Sequence, residues 1–283
     1  MDEAQRLIAK AERLAAAGEQ LGAAFARELA KVWRDADREI RRLIEAAQAG
    51  STGAAVSAVR ALALKEQLRE VLRAAGYDRT VAVATQDGAE AIVAAHLGAA
   101  ELVASIDPQL EALRRIATLD LLSAGDEAAT ALWRSLVQHL FSGRPSAEIV
   151  ADLADVLDSH AAEVQTLFDT SVSILGRQVE AVQTEDLGDA QPFLFSGPID
   201  DVTRPFCLER VGRVYTRAEI DDMDNGQLPN PFLTGGGYNC RHSWLAVESA
   251  ELRGMVGTSQ RIPEVADDIT RAKARRAEKR RAS

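Results

Sequence analysis

The sequence predicts a mostly α fold: long helices in the N-terminal two thirds, followed by a small α+β C-terminal module and a basic helical tail. Three observations predict it. Apolar residues make up 47% of the 283 positions but aromatics only 5%, a balance that suits long helices and is poor for a sandwich or barrel. Residues 1–180 hold 2 of the 8 prolines and 6 of the 13 aromatics, and the remaining third of the chain holds the rest. Within the first regime, leucines, valines and isoleucines recur at helical spacing between punctuating glycines.

Taken in order, Leu7, Ile8 and Leu14 mark a first helical stretch before Gly18. A long helix is expected from about Glu19, with Leu21, Phe25, Leu29, Val32, Trp33, Ile40 and Leu43 on one stripe, ending at Ala49–Gly53. Val56, Val59, Leu62, Leu64, Leu68, Val71 and Leu72 outline the next helix, closed by Gly76, and Val81–Leu97 is a weaker one. Asp107-Pro108 reads as a helix start, with proline suited to the first turn, and Ser123–Asp126 as its stop. Asp126 would cap a helix through Leu140, Ser146 the next, and a last helix would run from about His160 to Val182. One-sided stripes of this kind belong to helices packed on partners, and an elongated arm in an oligomer is an equal reading of the early ones.

The second regime carries strand signals at Phe193–Phe195, Arg213–Thr216 and His242–Val247, with Thr216 and Glu219 spaced as a capping box. The expected organisation is a helical domain over residues 1–183, a small α+β domain over 193–250 and a basic tail over 260–283, with the boundary between Thr184 and Phe193.

No apolar run reaches the ~20 residues of a membrane span, and the acidic, amphipathic start does not resemble a secretion signal; a soluble, non-membrane protein is expected. Net charge is −10 overall. Arg271, Lys273, Arg275, Arg276, Lys279, Arg280 and Arg281 against Glu278 give the last thirteen residues +6, so the preceding body carries −16. An acidic body with a basic tail points to a partner for the tail, either packaged nucleic acid or an acidic surface. A solvated helix end is the plain alternative.

Chemistry concentrates between Asp200 and Trp244. Cys207 and Cys240 are the only cysteines, and His242 follows two residues after Cys240. These three could ligate zinc, with Asp200, Asp201 or Glu209 as a fourth ligand, although no paired C-x-x-C knuckle is present. A disulfide and two buried free thiols are the other states open to the pair, the free thiols being the plainest. An enzymatic reading would make His242 a general base and Arg241 an anion stabiliser, as in a nuclease. The structural reading has the Arg241 guanidinium bind loop carbonyls and hold the turn together. His96, His139 and His160 read as surface or satisfied residues.

In order, Asp200/Asp201, Thr203, Pro205, Cys207, then Gly212, Val214, Tyr215, then Gly237, Asn239, Cys240, Arg241, His242 and Trp244 resemble the C-terminal domain of tailed-phage minor head (head morphogenesis) proteins, the Mu protein F-like group. The resemblance covers about 50 residues. Many members of that group carry four cysteines that could bind a metal; here Arg204 and His242 stand at two of those positions, leaving a Cys-Cys-His remnant. The resemblance implies a virion protein, made in the host cytoplasm, acting near the portal in capsid assembly, DNA packaging or ejection. Its partners would be the portal or major capsid protein and, through the tail, packaged DNA. It implies no catalytic activity; a nuclease-like or metal-dependent enzyme in the C-terminal module is the alternative.

Overall fold

A computed structural model describes residues 2–49, 58–97, 103–142, 146–188 and 190–282. The fold is mostly α with a small three-stranded sheet towards the C-terminus, as the composition predicts. Helices α1 (Glu3–Ala49), α2 (Ala58–Ala74), α3 (Tyr77–Leu97), α4 (Val103–Ser142) and α5 (Ser146–Thr184) occupy the first regime. None of the helices among the described residues is long and apolar enough to cross a membrane. The second regime holds β1 (Pro192–Ser196), α6 (Pro205–Arg210), β2 (Val214–Thr216), α7 (Arg217–Asp221), α8 (Pro231–Thr234), β3 (Ser243–Ala246), α9 (Ala250–Arg253) and α10 (Pro263–Ala282).

The helices are fewer and longer than their punctuation suggests. Gly18 does not separate two helices: α1 runs through it, and a Cβ there would meet only Val172, at an ordinary 3.8 Å. Gly125 does not end a helix either, and Asp126 caps nothing, because α4 continues to Ser142. The glycine is there for packing, since a Cβ would stand 2.3 Å from the Tyr77 ring. Helix α4 also starts five residues before Pro108, which costs it one backbone bond inside the helix. The two helices expected around Ser146 and His160 are one, α5. At Gly18 the strongly one-sided apolar face of α1 carries the helix past a local breaker worth about 1 kcal/mol. The stretch at Ala49–Gly53 lies mostly outside the described residues, as do the side chains of Val56, Val59 and Leu62.

Two compact units are present, each discontinuous in sequence. One comprises Leu21–Asp87 and Arg114–Phe168. It is an all-helical core in which Phe25 stacks on Phe168 at 4.2 Å and Trp33 tilts over Tyr77 at 5.7 Å. The Tyr77 hydroxyl donates to the Leu121 carbonyl at 2.6 Å, so the ring's one polar atom is satisfied in the interior.

The other unit comprises Met1–Gln20, Gly88–Leu113 and Asp169–Ser283. Its sheet has the order β2-β1-β3, all antiparallel, with Leu194 opposite Val214 and Phe195 opposite Trp244. Every residue of the central strand β1 is buried, as expected of a strand covered on both faces. The predicted capping box forms: Thr216 accepts from the Glu219 N–H, and the Glu219 carboxylate accepts from the Thr216 N–H at 2.8 Å. Phe193, Phe195, Phe232 and Trp244 make the core of this module, joined by Ile262, Val265 and Ile269 from the approach to α10 and its first turns. The first half of α10 is therefore docked rather than solvated. Gly212 lies beneath it, so close that a Cβ would meet Val265 at 3.0 Å.

Candidate functional site

Three short segments of the C-terminal module converge. Thr203 closes the turn before α6, its hydroxyl accepting from the Asp200 N–H at 2.9 Å. Pro205 then opens α6 at its first position, where no amide hydrogen is needed. This start places Cys207 on the buried side of the helix. The second segment is α8, capped by Asn230 and ended by Gly235 at φ +57°. The chain turns through Gly237 (φ +93°) and Asn239 (φ +54°), both left-handed. The Asn239 N–H donates to the Thr170 hydroxyl of α5 at 3.0 Å. That reversal delivers Cys240 and His242 next to Cys207, and β3 begins one residue later.

The sulfurs of Cys207 and Cys240 lie 3.8 Å apart, and the Cys240 sulfur is 4.0 Å from Nδ1 of His242. Both cysteines are free and all three residues are buried. The His242 ring stacks on Phe195 at 5.2 Å, and its Nε2 is buried with no hydrogen-bond partner. Gly236 presses on the pair: a Cβ there would come within 2.4 Å of the Cys207 sulfur. Electrostatics splits the two thiols. The hydrogen bond between them pushes the Cys207 thiol up, with burial adding to it. The same bond, against the cost of burial, holds Cys240 well below the ordinary thiol range, helped by the charge of Arg177 and by His242.

Arg177 organises the backbone around them. It projects from α5, is 2% exposed, and spends its guanidinium on three carbonyls. Nε donates to His242 at 2.9 Å, one terminal nitrogen to Leu233 at 2.8 Å and the other to Cys240 at 2.5 Å. The carbonyl-binding arginine expected in this loop is therefore Arg177, not Arg241. Arg241 instead bridges two carboxylates, Asp200 at 2.5 Å and Glu19 at 2.8 Å. The reason is direction: the Arg241 side chain is partly exposed and meets acids at the rim, while α5 runs beneath the turn, where the carbonyls point.

One turn after Arg177, Glu180 is also buried. Its carboxylate accepts from the Ala246 N–H at 2.7 Å, meets Lys10 at 2.9 Å and lies 2.8 Å from Nε2 of His96. Burial pushes its pKa up, but His96, Lys10 and the Ala246 amide outweigh this and hold it at about 2. Sequence reasoning missed both residues. The available signal was an arginine and a glutamate, three apart, beside the buried Leu175 and Val179. Trp244 is fully buried, packed on Phe195 at 4.2 Å, with its indole N–H on the Pro231 carbonyl at 2.9 Å.

The carboxylates considered as a fourth metal ligand are engaged elsewhere. Asp200 holds Arg241, Asp201 meets Arg275 at 3.3 Å, and Glu209 meets Arg210 at 3.3 Å. Arg204 donates to the Gly236 carbonyl at 3.0 Å. Of the remaining histidines, His96 is buried against Glu180, His160 meets Glu163 at 3.2 Å, and the side chain of His139 lies outside those described. In the tail, Arg271 pairs with Asp268 and Arg275 with Asp201, while Lys273 lines a shallow concavity with Arg213, Arg261 and Glu209. Arg276, Lys279, Arg280 and Arg281 continue α10, with side chains outside those described.

Comparison with protein-family models, curated proteins and solved structures finds no match to this chain.

Proposed function

We propose that this chain is a structural and assembly protein of a tailed-phage or prophage-derived particle, a minor head protein acting near the portal in capsid assembly, DNA packaging or ejection. One observation carries the reading. Most of the residues that resemble the minor head group (Thr203, Cys207, Asn239, Cys240, His242 and Trp244) meet around one closed, buried turn. Arg177 fills three carbonyls there, Trp244 a fourth, and His242 is 3% exposed against Phe195. A general base needs reach to a substrate proton. A buried imidazole and an arginine already held by two acids favour a fastening role over a nuclease. The module would dock to the portal or the inner capsid, and the exposed cations of α10 would lie against packaged DNA.

Arg271, Lys273 and Arg275 are exposed on α10, and Lys273 shares its concavity with Arg213 and Arg261. Such a cluster binds a polyanion with an affinity that falls steeply with salt. Mass spectrometry of purified particles and procapsids from the source replicon tests the proposal. The protein is expected in one or both at a few copies per portal vertex. Its absence from both overturns the assignment. A nuclease assay of the wild-type chain against His242→Ala is expected to give equal, background rates.

A further inference from the structure

We infer that Cys207, Cys240 and His242 bind one zinc ion, with the two sulfurs and Nδ1 of His242 as ligands. The inference is independent of the proposed function. It starts from the spacing of the donor atoms. A zinc–thiolate bond of about 2.3 Å at a tetrahedral angle sets two sulfurs about 3.8 Å apart. Cys207 and Cys240 hold theirs at 3.8 Å. A disulfide would need about 2.05 Å. With a zinc–nitrogen bond of about 2.0–2.1 Å, the sulfur–nitrogen edge is about 3.6 Å, and Cys240 and His242 stand at 4.0 Å. All three donor atoms lie within 4.8 Å of one another, so side-chain shifts of up to about 1 Å bring them onto one ion.

The chemistry of the donors agrees. Two thiolates and an imidazole are a soft set that selects zinc over magnesium or calcium. Two thiolates around a zinc dication sum to zero charge, which suits an interior site. The imidazole turns its Nδ1 towards the Cys240 sulfur.

The surroundings hold the ligands in register. Arg177 binds the carbonyls of both Cys240 and His242, fixing the backbone of two ligands with one side chain. Phe195 sets the plane of the imidazole, and Gly236 admits the turn directly against the Cys207 sulfur. Outer contacts of this kind orient a metal's ligands. Among the described residues no further histidine, cysteine or carboxylate joins the group, so the protein supplies three ligands.

The test uses the untagged full chain, purified without chelator. Elemental analysis is expected to find about one zinc per chain, and thiol titration of the native protein no fast-reacting sulfur. Replacement by cobalt is expected to produce a thiolate-to-metal charge-transfer band and the visible bands of a tetrahedral site. His242→Ala is expected to cut zinc retention by ~10-fold or more, the scale seen even for outer-contact losses. Should that variant fail to fold, the wild-type chain still decides. Stripped with a chelator and titrated with zinc alone, it is expected to melt several degrees higher than in the chelator. A chain with no stoichiometric zinc, whether its cysteines titrate as two thiols or as a disulfide, and a melting temperature indifferent to chelator and zinc, overturns the assignment.

Discussion

Arg177 and His242, 65 residues apart in sequence, are joined by a 2.9 Å hydrogen bond from the guanidinium Nε to the histidine carbonyl. The same guanidinium satisfies Leu233 and Cys240, so one helical side chain carries the whole turn that presents the sulfurs. Replacing it with methionine leaves three carbonyls without donors in the interior. A loss of about 3–5 kcal/mol is expected, the scale of breaking a buried charged network. Urea denaturation followed by circular dichroism measures it. Arg177→Lys should recover only a fraction, because one ammonium lacks the planar fork that reaches three acceptors.

Arg241 should behave oppositely. Its partners Asp200 and Glu19 are 40% and 56% exposed, and rim pairs of this kind contribute about 1 kcal/mol or less. Arg241→Ala is expected to lower stability within that limit, and the difference from wild type should shrink further in high salt. A cost equal to that of Arg177→Met would refute the division of roles between the two arginines.

Glu180 makes a pH prediction. Its folded pKa of about 2 lies below the ordinary 4.5, so the unfolded chain binds its proton first as pH falls. The stabilisation is full above about pH 5 and drains away between there and pH 2. A gap of that size corresponds to roughly 3 kcal/mol. Stability measured across this range should therefore slope more steeply in the wild type than in Glu180→Gln. Parallel curves would sink the idea.

Two glycines should respond to alanine with opposite signs. At Gly236 the new methyl would stand 2.4 Å from the Cys207 sulfur, and overpacking of about 1–3 kcal/mol is expected. At Gly18 the nearest neighbour is Val172 at 3.8 Å and the backbone is helical, so alanine should stabilise by up to ~1 kcal/mol. Thermal melts of the two single variants separate these outcomes.

Much of this was legible in the residues themselves, and what was not has a physical reason. The strands at Phe193, Val214 and Trp244 and the Thr216–Glu219 cap follow from alternation and local hydrogen bonding, which a short window contains. The proximity of Cys207 to Cys240 was legible only as a suspicion, because it depends on left-handed turns at Gly237 and Asn239 that bend the chain back. Arg177 was illegible: on a helix an arginine is ordinarily solvated, and only the docking of α5 beneath the turn turns its direction into a role. Helix ends were misplaced at Gly18 and Gly125 because a weak local breaker was weighed without the packing that overrides it, the apolar face of α1 at Gly18 and the Tyr77 ring at Gly125.

Glu3 accepts from the amides of Glu248 and Ser249 at 2.6 and 2.8 Å, across 245 and 246 residues. Nascent chain emerging from a ribosome would expose its opening helical turn long before those amides exist. Seating of that turn therefore waits until the chain around α9 has been made, which ties the placement of the start of α1 to the folding of a segment distant in sequence.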